Sequence, residues 1–131
     1  MIAIDTSVLI RYLVGSPKAQ AVRARRLIDG DEGIGLPLVA LVEAAHVLRT
    51  QYALGSEVII GLLIELLQRR NIELLGMRTE AAIALLVRAR AVPGRPLPDA
   101  LIVAAAVEAD ALPLATFDRD MHRYGVATRQ P

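Results

Sequence analysis

A chain of 131 residues with 54% apolar side chains and a formal charge of +1 has material for one hydrophobic core and is too apolar for disorder. With no Cys, no Trp and only 3% aromatics, it excludes disulfides, thiolate nucleophiles, thiolate zinc sites and iron–sulfur clusters, and it argues against a base-stacking platform of the single-strand-binding kind. The positive charge is almost all Arg, Lys18 being the single lysine, which disfavours mechanisms centred on that residue type.

The opening "MIAIDTSVLI" reads as a buried strand through Ile4, a carboxylate at Asp5, and a helix from about Ser7. Asp is a good helix N-cap, although Thr6 or Ser7 would serve as well. Pro17 opens a second helix through "KAQAVRARRLI", which "DGDEG" stops. "IGL" is a short strand, and Pro37 suits the first turn of a long helix, "LVALVEAAHVLRTQYAL", closed by Gly55. Ser56 and Glu57 start "VIIGLLIELLQRR", apolar almost all round. Such a helix is either central to the core or hidden against another protein. "IELL" is a strand, and "TEAAIALLVRARAV" a helix stopped by Pro93 and Gly94. "PDALIVAAAVEAD" is a helix, "LPLAT" a strand, "DRDMHRY" a short helix and "GVAT" a last edge strand. The alternation predicts an α/β fold, a three-layer α/β/α sandwich with a mainly parallel central sheet, as a single domain over residues 1–131. The start lacks a basic–apolar–cleavable leader and no apolar run reaches the ~18 residues of a membrane span, so the expected compartment is the cytoplasm and no membrane partner is expected.

In open parallel sheets, functional groups gather where strand C-terminal ends feed the following loops. Asp5 follows the first strand, while Thr116, Asp118 and Asp120 follow "LPLAT". Asp99 stands in the first turn of its helix, with Ile102 and Val103 on the same face. Glu43 lies between Val39 and Val47 on an apolar helix face. Each has an ordinary explanation: a cap, a helix-dipole acid, a snorkelling surface Glu. Together they suggest more, because unpaired carboxylates on apolar faces cost roughly several kcal/mol each unless their charge is cancelled. Converging carboxylates also resist shared ionisation. A divalent cation resolves both problems, and an oxygen-only donor set points to Mg²⁺ or Mn²⁺.

"AIDTSVLI", Glu43, "LPDALIVAAA" and "LATFDRD" together resemble a PIN-domain ribonuclease of the small VapC type, the toxins of toxin–antitoxin pairs. The resemblance runs from Ile2 to about Val126, with Met121 standing where the family commonly has Phe. It implies a PIN-like fold and an acidic, metal-binding catalytic site made of Asp5, Glu43, Asp99 and Asp118. Ser7 and Thr116 match supporting hydroxyls, and Asp120 a supporting acid. It also implies a homodimer, held inactive by an antitoxin segment packed on a helical groove.

The chemistry expected of such a site is hydrolysis of an RNA phosphodiester by a metal-bound water, without a covalent nucleophile. An acidic pocket repels RNA, so its rim must supply positive charge, and Arg11, Arg88, Arg90 and Arg95 are the candidates. Arg23, Arg25 and Arg26 form a run better suited to solvent or an acidic partner, and His46 and His122 read as supporting or surface groups. The rivals are a catalytically inactive PIN-fold binding or regulatory module and a metal-free ribonuclease using His46 and His122. A phosphoacceptor domain lacks its lysine near the last strand, and "GDEGIG" is not a dinucleotide-binding fingerprint.

Overall fold

The computed structural model describes residues 1–92 and 97–131. Three short parallel strands, β1 (Ile2–Ala3), β2 (Ile34–Pro37) and β3 (Ile72–Leu75), form one ladder with β2 in the middle. Ile2 pairs with Ile34 and Ala3 with Gly35, while Ile34 pairs with Ile72 and Leu36 with Leu74. A second parallel ladder joins β4 (Leu114–Ala115) to β5 (Thr128–Arg129). Two helices fill each of the first three connections: α1 (Thr6–Val14) and α2 (Lys18–Ile28), α3 (Leu38–Thr50) and α4 (Ser56–Leu67), α5 (Thr79–Arg90) and α6 (Leu97–Glu108). Parallel pairing demands such long crossovers, and the outcome is the expected three-layer α/β/α sandwich.

Among the described residues the parallel strands are divided into two ladders rather than joined in one sheet. "LPLAT" yields only Leu114–Ala115 as strand. Pro113 has no N–H to offer a ladder, and the Thr116 N–H is already bound to the Arg129 carbonyl at 2.9 Å.

Local sequence explains most element bounds. α1 starts at the Asp5 cap and ends at Gly15, left-handed at φ 79°, whose N–H binds the Arg11 carbonyl. α2 covers "KAQAVRARRLI" as predicted. Pro37 is both the last residue of β2 and the cap position of α3, so strand feeds helix without a loop. α3 stops at Thr50, short of its predicted end. There Ala53 turns left-handed at φ 54°, and the Leu54 N–H returns to the Leu48 carbonyl at 3.1 Å. "DRDMHRY" makes only a 3-10 turn, Met121–Tyr124.

The core is built from every layer: Leu9, Ile34, Leu36, Leu41, Leu48, Leu63, Leu86, Val103 and Tyr124 are fully buried. Each such Leu contributes about 1.5–3 kcal/mol through burial. α4 is a core helix. Ile59, Ile60, Leu63, Ile64, Leu66 and Leu67 are buried within this domain, and Val58 is its one exposed large apolar residue. Among the described residues no helix is long and apolar enough to cross a membrane.

Candidate functional site

β1 delivers Asp5 to the cap of α1. Its Oδ1 accepts the Ser7 hydroxyl at 2.6 Å and the Val8 N–H at 3.1 Å. The Ser7 bond does most to hold this carboxyl below its usual range; the Val8 N–H helps, slight burial opposes, and the Ser7 N–H and the Arg11 charge add to the lowering. Asp5 is therefore the helix cap of the ordinary reading and also an exposed, firmly ionised oxygen donor at a strand end. Ser7, expected as a supporting hydroxyl, makes the shorter of these two bonds.

A second carboxylate turn follows β4. The Thr116 hydroxyl accepts the Asp118 N–H at 3.0 Å, and the Asp118 carboxylate accepts the Asp120 N–H at 2.8 Å. Thr116 and Asp120 thus shape the turn through which Asp118 is presented. His122 Nδ1 lies 2.9 Å from the Arg119 carbonyl, which can only accept, so the ring carries a proton on Nδ1. Arg123 approaches Asp120 at 3.7 Å.

Glu43 meets a third feature, an apolar groove of about 510 Å³ between α3, α4 and the start of α6. Glu43, exposed, lines it together with Val39 and Val42, and so do Leu97 and Pro98, the two residues before Asp99. Asp99 is half-buried; of its helical neighbours Val103 is buried but Ile102 is 51% exposed. His46, on the same wall, has Nδ1 3.3 Å from Arg49 Nη2. A guanidinium only donates, so this nitrogen accepts and the imidazole carries its proton on Nε2.

The expectation that these acids stand where polarity is expensive is corrected by the structure: among the described residues no charged side chain is buried. Strand-end turns and a groove rim leave the carboxylates hydrated. In kind, the donors fit a hard divalent cation, being all oxygen: Asp5 and Asp118 after strands, Glu43 on the groove and Asp99 in the first turn of α6. In arrangement, no group of three or more Asp, Glu or His side chains among the described residues stands together as an ion-holding set.

The arginines are largely engaged elsewhere. Arg88 Nη1 donates to the Tyr124 carbonyl at 2.8 Å, fastening the 3-10 turn to α5. Arg11 Nε donates to Gln20 Oε1 at 2.8 Å while its charge reaches Asp5. Arg90 points toward Gly61 of α4, where an added Cβ would lie 3.8 Å from Nη1. Arg95 lies outside the described residues. What the sequence reading passed over is the surface around Asp118. Phe117 is 81% exposed, and Arg129 is brought beside Ala115 by the β4–β5 register. The first had a signal, a lone Phe inside a turn motif; the second depends on a strand pairing that periodicity does not encode.

No curated protein and no solved structure gives a significant match to the chain. The family-level comparison does. A model described as the PIN domain matches residues 2–127, a span that holds β1, the groove helices and both carboxylate turns. The chain belongs to the PIN-domain family.

Proposed function

We propose that this protein is a Mg²⁺- or Mn²⁺-dependent endoribonuclease of the VapC type, the toxin of a toxin–antitoxin pair acting in the cytoplasm as one domain over residues 1–131. PIN domains are typically nucleases that use divalent metal ions. The observation that carries the reading is Asp5: an ionised carboxylate at the end of β1, oriented by Ser7 and Val8, in a chain matched to that family.

Asp5, Glu43, Asp99 and Asp118 would hold the metal. Bound there, it would supply Lewis-acid polarisation of the scissile phosphate and a water of lowered pKa. Asp5 offers an oxygen whose charge persists into acid and whose position is fixed by two hydrogen bonds. The Asp120 N–H orients Asp118, and Thr116 pins the backbone beneath it. Glu43, on the groove rim, would ligate the metal or orient the water. The products carry 5′-phosphate and 3′-hydroxyl ends. The groove, with Val39 76% exposed, supports protein partners: a cognate antitoxin and a second copy of the chain.

The test is cleavage of total RNA by purified, partner-free protein with Mg²⁺ or Mn²⁺, with EDTA, and with Asp5→Asn or Asp99→Asn. Discrete fragments that vanish with chelator and with either substitution are expected. Cleavage surviving EDTA would overturn the carboxylate mechanism and bring His46 and His122 forward. One observation favours the second reading, an inactive binding module: the acids are not gathered as an ion-holding set among the described residues. Calorimetry with Mn²⁺ separates the two, since the module reading expects no binding that Asp5→Asn abolishes.

A further inference from the structure

We propose that Phe117 is a single stacking contact for an unpaired RNA base beside the cleaved bond, one ring rather than the multi-aromatic platform that the composition argues against. The inference rests on the nuclease reading of the Asp118 turn and names the side chain by which that turn holds its RNA. Phe117 is the chain's only Phe and, at 81%, the most exposed large hydrophobic side chain among the described residues. Its backbone is held on both sides: the Thr116 N–H binds the Arg129 carbonyl at 2.9 Å, and the Asp118 N–H binds the Thr116 hydroxyl at 3.0 Å. An aromatic ring held in water on a hydrogen-bonded turn offers its face to a flat, apolar ligand.

Its neighbours say which one. Arg119 follows two residues on, and Arg129 stands across the ladder from Ala115. His122 and Arg123 occupy the next turn, and all four side chains belong to exposed residues. Arg119, near in the chain, and Arg129, near in the register, suit a nucleotide, whose base stacks while its phosphates are neutralised. The carboxylate at residue 118 is the immediate chain neighbour of the ring, so a base stacked there has its phosphate beside the acidic turn. A paired base, already covered on both faces within a duplex, cannot offer itself in this way. A protein partner seated on an apolar spot would not require the cations.

The chain has no Trp, so Phe117→Trp makes a single fluorescent reporter that keeps an aromatic face. It would be titrated in EDTA with a mixed-sequence single-stranded oligoribonucleotide and with the same sequence as a duplex. Saturable quenching by the single strand and little by the duplex is expected. By anisotropy of the labelled single strand, Phe117→Ala and Phe117→Leu should each bind about 5- to 150-fold more weakly, the range of a lost base stack. With metal present, both should raise KM while leaving kcat nearly unchanged. Absence of quenching, or unchanged affinity in both variants, overturns the proposal, as does quenching that follows protein concentration, which would make this surface a self-association contact. The two readings fail separately. Quenching by RNA without any cleavage sinks the nuclease and keeps the stacking contact; normal cleavage by Phe117→Ala with unchanged KM does the reverse.

Discussion

At Asp5 a carboxylate closes a turn onto α1, whose residues Leu9 and Ile10 are buried in the core. At Asp118 a carboxylate closes a turn ahead of four residues of 3-10 helix, beside a ladder two residues long. Both turns use the same parts, a hydroxyl from a neighbouring Ser or Thr and a backbone N–H two or three residues on. They differ in fastening. The first is tied to the hydrophobic interior, so its geometry lasts as long as the fold does. The second depends on buried Met121 and Tyr124 and on the Arg88 bond to the Tyr124 carbonyl. Local stability follows such differences, and the region with fewer core contacts opens first. One acid is thus presented by the core, and the other by a corner that can adjust around a ligand.

The largest expected effect is on catalysis. Asp5→Asn and Asp118→Asn should each lower the rate of metal-dependent RNA cleavage by about 100-fold or more, the order seen when a group stabilising transition-state charge is lost. Near-normal cleavage by Asp118→Asn would break the comparison by removing the second turn from the site. Next comes the interior: Leu9→Ala, under the first turn, should destabilise the whole chain by about 2–5 kcal/mol in denaturant unfolding. A smaller and local effect is expected at Gly125, left-handed at φ 79°, where an added Cβ would come within 2.5 Å of Arg88 Nη1. Gly125→Ala should cost about 1–3 kcal/mol and speed hydrogen exchange over residues 118–124 while α1 amides stay protected.

How much of this was legible follows from the same contrast. The helices around Asp5 announced themselves by apolar period and by stop signals, and α2 and β3 fall on the predicted residues. Asp5 and Ser7 were readable because a cap acts within its own turn. The end of α3 was not, because it depends on Ala53 turning left-handed, a backbone choice that no Gly or Pro advertised. Arg88 looked like a substrate contact by its nearness in sequence to Asp99; its engagement with the Tyr124 carbonyl is a contact 36 residues away. Nor could the sequence foresee that the acids would all remain hydrated, because exposure depends on how the rims of three elements meet.

Two finer effects sharpen the comparison. Ser7→Ala should let the Asp5 carboxyl rise back toward the ordinary aspartate range, followed by NMR titration. The sign is that of a depressed acid: its contribution is present above the unfolded-state value and is lost as pH falls through the folded one. Ser7→Ala should therefore narrow the acid range over which stability declines, with a change of about 1 kcal/mol or less at neutral pH. The smallest effect lies where α1 is tied to α2 and to the end of α4. There the Tyr12 hydroxyl donates to Asp29 at 2.8 Å, and Arg69 meets Asp29 at 3.0 Å. Burial first, and then the Asp29 bond, raise the Tyr12 phenol above its ordinary 10.0. Its contribution is complete below that value and is lost as pH climbs through the raised one, so thermal unfolding should show a small alkaline decline that Tyr12→Phe removes.

The fastening of residue 125 under residue 88 also has a historical side. A side chain at 125 must tolerate a left-handed backbone, which among L-residues favours Asn, and it must not meet the Arg88 guanidinium. Asn at 125 alone meets that guanidinium, whereas a shorter residue at 88 followed by Asn at 125 avoids it in that order. The two positions are epistatic, and lineages of this protein should cross between Arg–Gly and small–Asn pairs only through the small–Gly intermediate, never through Arg–Asn.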